Sequence, residues 1–245
     1  MKFNKTALWL AAILALVSCT KDKNALLQGK LTFDVEGDYM VADTKSKVSD
    51  FTALPGKADF TLTIKDSEGK TFWTGKLTEW SSETQIPSGN YTASAEYGAE
   101  GTEGFGKPWF VGSKSFAVSG AKQTDVVIPI ALGNTIVRIS TTAMFDNYFT
   151  DYTFTLVTGN GSKIDFVKGE NRAAFVDAFR FRVNGTLTTQ GGSIVTFAGD
   201  EYPSIEEKTC YTISFDAPNA GGATVNVSFN DTLETVSLGE LELND

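Results

Sequence analysis

From residue 29 onward the apolar positions of the chain recur at every second residue. Leu31, Phe33 and Val35 alternate with Thr32 and Asp34, and Phe60, Leu62 and Ile64 alternate with Thr61, Thr63 and Lys65. Tyr91, Ala93, Ala95 and Tyr97 continue the pattern, followed by Val126, Ile128 and Ile130. A second series holds Tyr152, Phe154 and Leu156; Phe179, Phe181 and Val183 against Arg180 and Arg182; Tyr211, Ile213 and Phe215; and Val225, Val227 and Phe229. Side chains on a strand point alternately to its two faces, so each set turns one apolar face inward and one polar face to water. Between the sets lie turn formers: Asp66-Ser67-Glu68-Gly69, Pro87-Ser88-Gly89-Asn90, Gly159-Asn160-Gly161 and Asn219-Ala220-Gly221-Gly222. No stretch carries a sustained helical period. Short strands punctuated in this way predict an all-β chain built as antiparallel sandwiches.

The strand pattern repeats once. GKLTFDV followed by DFTLTIKDSEGK has a counterpart in NTIVRIS followed by YTFTLVTGNGSK, with the same order of strand, loop, strand and glycine turn. The division falls near Leu132-Gly133 and gives two tandem β-sandwich modules, residues 29–132 and 133–245, each of ordinary domain size. Stacking end to end is the expected arrangement. Pro129 inside VVIPIAL cannot donate to a ladder, which puts that strand at an edge or ends it there. In IPSGNY, Pro87 fixes φ entering a turn and Gly89 is expected at positive φ, with Tyr91 opening the next strand.

The N-terminus has a different grammar. Lys2 and Lys5 precede an unbroken apolar run from Ala7 to Val17, then small Ser18 and Cys19. These are the three regions of a secretory signal, and the run is shorter than the roughly 20 apolar residues that a spanning helix needs. Leu16-Val17-Ser18-Cys19 resembles the lipobox of bacterial lipoproteins. That resemblance implies a signal peptide over residues 1–18 and acylation of Cys19, with residues 19–28 as a lipidated tether holding the protein to a membrane. Thr20-Lys21-Asp22-Lys23 is similar to a Lys-plus-acid surface-export signal of Bacteroidetes, with one acid where that signal usually has two, and so points to the outer membrane and the cell surface.

A wider resemblance rests on Ile86-Pro87-Ser88-Gly89-Asn90-Tyr91, on the Phe105 to Phe110 segment around Lys107-Pro108, and on Ala131-Leu132-Gly133-Asn134. From about Gly29 to the C-terminus the chain resembles a family of Bacteroidetes surface lipoproteins of unknown function that accompany fimbrillin-type proteins. The resemblance implies a pair of fimbrillin-like, transthyretin-type sandwiches. Polymerising fimbrillins are cleaved after an Arg near the N-terminus, whereas this chain has none before Arg138. Lys45 and Lys47 are the basic residues a protease would have to use instead, and a retained lipid anchor fits the departure better than a shaft subunit.

Composition narrows the chemistry. Removing residues 1–18 deletes Lys2 and Lys5 and no acid, which takes the net charge from −9 to −11. An acidic protein is a poor ligand for nucleic acid, whose binding rests on neutralising phosphates. The chain has no histidine, which removes Ser-His-Asp and Cys-His arrangements and imidazole metal sites. Ser67-Glu68-Gly69-Lys70 fits S-x-x-K, but it falls in a turn between strands, where Lys is not carried back beside Ser. Asp146, Asp151 and Asp165 are the carboxylates that could be asked to run hydrolysis, and they lie in no recognisable context. Asp34, Glu36 and Asp38 share a strand face without the spacing of a calcium loop. Cys210 has no cysteine partner once Cys19 is acylated and reads as a small apolar residue. No enzyme activity, cofactor or metal is expected. Asp231-Thr232-Leu233 matches the Asp-Thr/Ser-hydrophobic O-glycosylation signal of Bacteroidetes and makes Thr232 a candidate glycan acceptor.

Two functions remain. The first is structural or adhesive, a fimbrillin-like accessory or anchor subunit or a surface protein of that fold, whose partners are fimbrial subunits or other surface proteins. The second is a glycan-binding surface lipoprotein, with Trp73, Trp80, Trp109 and Phe110 as the ring platform for sugar. Phe105, Trp109 and Phe110 sit in a loop with five glycines between Gly98 and Gly112, where they either plug the loop or form a ledge.

Overall fold

The computed structural model describes residues 27–42 and 46–217, together with the backbone of 224–229 and 232–237. The first half of the chain forms β1 (Gln28–Asp38), β2 (Thr61–Asp66), β3 (Thr71–Lys76), β4 (Gln85–Pro87), β5 (Gly89–Tyr97), β6 (Gly104–Phe105), β7 (Phe110–Val118) and β8 (Gln123–Leu132). The second half forms β9 (Asn134–Thr141), α1 (Ala143–Tyr148), β10 (Phe149–Thr158), β11 (Lys163–Val167), β12 (Ala174–Asp177), β13 (Phe181–Thr189), β14 (Ile194–Ala198), β15 (Cys210–Asp216), β16 (Thr224–Phe229) and β17 (Thr232–Ser237). The chain is all-β, and α1 is a single capped turn in which the Thr142 hydroxyl accepts the Phe145 N–H.

One sheet in the order β3-β2-β5-β7-β8-β1-β4 builds the first module. β7 and β8 share only the pairs Phe110↔Leu132 and Val111↔Ala131, so the sheet turns a corner there and folds into two facing limbs. Phe33 of β1 meets Phe116 of β7 edge-on at 5.9 Å across the interior. Leu31, Leu62, Ile64, Ala93, Ala95, Val126 and Ile128 fill the space between the limbs, as the alternation predicts. Pro129 lies where β7 has diverged from β8, so its missing donor costs no ladder bond on that side. The two strands still approach closely: a Cβ on Gly112 would stand 1.8 Å from the Pro129 carbonyl oxygen.

The second module repeats this plan. Its four-stranded sheet runs β11-β10-β13-β14, matching β3-β2-β5-β7, and β15-β9-β12 matches β8-β1-β4. Among the described residues each module contains one parallel pair, β1 with β8 and β9 with β15, so the sandwiches are not purely antiparallel. A first strand that returns beside a late strand of its own module runs in the same direction, and local alternation carries no sign of that pairing. The C-terminal hairpin β16-β17 extends β15 on its free side.

The modules are not simply stacked end to end. In β9 and β12 every residue of Asn134–Val137 and of Ala174–Val176 is buried, without the alternation of the other strands. Val137, Ala174 and Val176 face the second module's interior, whereas Ile136 and Phe175 belong to the core of the first. The first module therefore covers the outer face of the second module's sheet. The Asp38–Lys208 ion pair and an Ala42 N–H donated to the Lys208 carbonyl at 2.7 Å tie the same surfaces together at the rim.

Two further expectations change. Gly89 is not at positive φ, and a Cβ there would meet only a Tyr91 ring carbon at 3.6 Å. Phe179, placed inward by period two, lies ahead of β13 and is 55% exposed, because the strand starts only at Phe181.

Replacing Phe175 by Ala should cost about 3–5 kcal/mol, because it opens a cavity between the two cores. Urea denaturation should still show one coincident transition by fluorescence and circular dichroism. Gly112→Ala should cost about 3 kcal/mol or more through the clash with Pro129, while Gly89→Ala should change stability by less than about 1 kcal/mol. Thermal melts of the two glycine variants side by side check the contrast.

Candidate functional site

Residues 98–109 form a strap that leaves the first module between β5 and β7 and reaches into the second. Gly98, Gly101, Gly104 and Gly106 all have φ between 63° and 138°, conformations that side chains with a Cβ rarely adopt. These glycines let the strap turn sharply enough for β6 to pair with β12 through Phe105↔Ala174 and Gly104↔Phe175. Phe105 packs edge-on against Phe166 at 4.9 Å and lies under the Arg172 guanidinium at 4.5 Å. Arg172 is itself held by Glu170 through Nε and Nη2, which keeps the Glu170 carboxyl down at about 2. Glu103 accepts the Thr158 hydroxyl at 2.6 Å and the Asp177 N–H at 3.0 Å, and in return Asp177 accepts the Gly101 N–H at 3.0 Å.

Above the strap a cleft of about 260 Å³ opens where five connecting segments converge at the module seam. Its walls are Glu100, Trp109, Gly133, Asn160, Asp177, Ala178, Phe179 and Glu207. The Trp109 indole covers Gly133, where a Cβ would come within 2.5 Å of Cε3, and its Nε1 donates to Glu96 at 2.8 Å. The Asn160 Nδ2 donates to Asp177 at 2.7 Å. Asn134 is fully buried; its Oδ1 accepts the Trp109 N–H while, among the described residues, its Nδ2 has no partner. Among the described residues no group of three or more His, Cys, Asp or Glu side chains could hold a metal ion.

Of the four aromatic residues expected to form a sugar platform, only Trp109 reaches this cleft. Phe110 is completely buried in the first core, because β7 begins at that residue and turns it inward. Trp73 and Trp80 lie elsewhere, half-buried, with ring planes 82° apart at 5.3 Å, and Trp80 Nε1 donates to the Leu31 carbonyl at 2.9 Å. Two coplanar exposed rings are not assembled there. The loop aromatics instead divide between the two cores, Phe110 in the first and Phe105 against the second. In the sequence Asn134 and Asn160 figure only as a junction and a turn residue, and Asp177 and Glu207 match no motif. The available signals were the Gly-Asn-Gly turn at 159–161 and the uninterrupted apolar run Ala173–Val176 ending at Asp177.

The remaining candidate groups are occupied locally. Asp34 pairs with Lys57, and Asp38 with Lys208, and each carboxyl is held below its usual range first by the hydrogen bond from that lysine. Asp146 accepts the Tyr152 hydroxyl, Asp151 the Tyr152 N–H, and Asp165 the Thr155 hydroxyl. Ser67 and Lys70 lie in the β2-β3 turn, around Gly69 at φ 81°. Burial raises the Cys210 thiol, in keeping with an apolar role. Lys47 opens a short turn in which its N–H is capped by Asp50 at 2.8 Å. Cys19 and Lys45 lie outside the described residues, as does the side chain of Thr232, whose backbone starts β17.

Residues 28–240 match the profile of the family described as Domain of unknown function (DUF4493). The chain belongs to the DUF4493 family. No curated protein matches its sequence. Among solved structures, a protein of Bacteroides thetaiotaomicron described as a candidate polysaccharide binding protein (DUF1812) is similar in fold. It aligns with a TM-score of 0.51 at 14% identity over 86% of this chain and 99% of its own. A fimbrial assembly protein of Parabacteroides distasonis aligns at 9% identity, with a TM-score of 0.45 over 85% of this chain and 98% of its own. The fimbrial anchor protein of Porphyromonas gingivalis aligns at 8% identity, with a TM-score of 0.39 over 84% of this chain and 98% of its own. The expected membership of a family of unknown function is thus met by the family match, and the Bacteroides thetaiotaomicron protein shares the fold.

The Glu170–Arg172–Phe105 contact makes strap docking sensitive to acid. Because the folded-state pKa of Glu170 lies near 2, below its ordinary value of 4.5, its contribution is present above about pH 4.5 and is lost as pH falls toward 2. The stability difference between the wild type and Glu170→Gln, measured by urea denaturation, should be constant from pH 7 to about 5 and should vanish near pH 2.

Proposed function

We propose that this chain is a lipid-anchored cell-envelope protein with a structural or adhesive role, held by an acylated Cys19 on the outer membrane and facing the cell surface. Residues 19–28 act as the tether, and residues 29–132 and 133–245 form the two modules it displays. The observation that carries this reading is the lipobox-like Leu16-Val17-Ser18-Cys19, placed a few residues before β1, the first strand of a tightly joined tandem sandwich. Several acyl chains on one residue would give stable anchoring, since each buried CH₂ contributes about 0.8 kcal/mol. The shared seam between modules supports a role as a stiff surface element, because a large apolar junction resists relative domain motion. Partners of such an element are fimbrial subunits or other surface proteins, met through sheet edges or module faces.

Palmitate should label the wild-type chain in growing cells and leave Cys19→Ala unlabelled, and the variant should lose sedimentation with envelopes. An unlabelled wild type, or a variant still bound to envelopes, would refute the anchor. Crosslinking of intact cells should recover other surface proteins with the chain, and a protein recovered only as a free monomer would count against the structural role.

A further inference from the structure

We infer that the end of the first module at which β1 begins rests on the membrane that holds the tether, and that a hollow there takes the phosphate of an anionic lipid headgroup. This deepens the anchoring proposed for Cys19 and rests on it. β1, β5 and β8 begin at this end, and β2 and β7 finish there. Asp38, at the opposite end of β1, pairs with Lys208 at the seam. Leu27 follows Cys19 by eight residues, a leash of at most about 29 Å when fully extended. The leash holds this end within reach of the bilayer, and charge decides which surface faces it.

Residues 27–30, 66–71, 85–89 and 119–123 make up this end and carry Lys30, Lys70 and Lys122 against Asp66 and Glu68. The tether adds Lys21 and Lys23 against Asp22. The balance stays positive when Glu83, which pairs with Lys30, is counted. The net charge of −11 therefore falls on the rest of the chain, so an anionic surface repels the bulk of the protein and lets this end approach. Leu27 is 59% exposed, and Phe72, beside the Tyr91 ring, is 41% exposed. Both are apolar groups that gain by entering the boundary between headgroups and acyl chains.

Lys30, Lys122, Gln28, Gln85 and Gln123 line a hollow of about 310 Å³ beside the start of β1, with no carboxylate in its wall. Backbone bonds fix its frame: the Ala121 N–H donates to the Gln28 carbonyl at 2.7 Å, and the Lys30 N–H to the Lys122 carbonyl at 2.9 Å. Ala121 is held at φ 57°, a conformation uncommon for a residue with a Cβ. Lys30 is engaged by Glu83, whereas among the described residues Lys122 forms no ion pair. An ammonium and several amide groups around one hollow match the oxygens of a phosphate. A free anion would meet the same donors, but only a lipid also brings an apolar boundary to Leu27 and Phe72.

The test labels lysines with a soluble amine-acylating reagent, read by mass spectrometry. The acylated chain is purified from membranes and reconstituted in vesicles of phosphatidylcholine, alone or mixed with phosphatidylglycerol. Labelling of Lys122 and Lys70 should fall by about fivefold or more when phosphatidylglycerol is present, while Lys107 on the strap and Lys163 in the second module label equally in both. Lys122→Glu and Leu27→Ser change exposed side chains and should keep the wild-type melting temperature. Each should return Lys70 labelling toward its level in phosphatidylcholine. A second measurement needs no tether: soluble dihexanoylphosphatidylglycerol, added to the chain in neutral detergent, should protect Lys122 saturably where inorganic phosphate at the same concentration does not. The inference is overturned if Lys122 labels equally in the two vesicles, if Lys107 and Lys163 are shielded as strongly as Lys122, if Lys122→Glu leaves Lys70 shielded, or if inorganic phosphate protects as well as the lipid. A chain that palmitate does not label refutes the anchor and leaves the soluble lipid to judge the headgroup site; a labelled chain with an open Lys122 refutes this inference alone.

Discussion

Burial of β9 and β12 on both faces is the constraint from which the rest of the molecule follows. A strand in a two-layer sandwich ordinarily needs one apolar face, and its other face meets water. Here Ile136 and Phe175 project from the second module's sheet into the core of the first, while Val137, Ala174 and Val176 project the opposite way. Those outer-face residues are apolar and would be costly to expose, so the second module's sheet is complete only when the first module covers it. The polar backbone of these strands is satisfied within the sheet, leaving an apolar seam rather than a linker between the two halves.

The strap follows from the same seam. β12 would be an edge strand, and open edges invite pairing with other chains. Gly104 and Phe105 occupy that edge from the other module, and the ring of Phe105 reaches the second core beside Phe166. Four glycines at positive φ make the path possible, and its course is settled where Glu103 accepts the Asp177 N–H and the Asp177 carboxylate accepts the Gly101 N–H. Closing the edge in this way gathers the β10-β11 turn, the link after β12 and the loop before β15 around one point. The cleft is the space those segments leave, and its acids and rings come from both modules.

The two modules have one topology with different additions. Strand order and the single parallel pair agree in both, which is the structural form of the repeat seen in GKLTFDV and NTIVRIS. They part company at the margins. The first module closes its corner through β7 and β8, with Gly112 against Pro129; the second leaves that corner open and extends β15 with a terminal hairpin. One plan thus supplies two modules, and the departures from it create the seam and the cleft.

The sequence alone determined the all-β class, the duplicated module, most inward-facing positions and the turns, because alternation, glycines and prolines act over a few residues. It also carries the lipobox-like Leu16-Val17-Ser18-Cys19, which is a matter of local order. Only the tertiary structure decided that Phe110 is core, that Trp73 and Trp80 meet edge to face, and that Phe179 points outward. The runs Ile136-Val137 and Ala173–Val176 hinted at strands covered on both sides, but a run says nothing of which surface does the covering. Parallel pairing, the reach of Phe105 into the other module and the meeting of Asn134, Trp109 and Asp177 all join residues distant in sequence. Their energies depend on contacts that exist only after both modules have formed, and no local pattern encodes them.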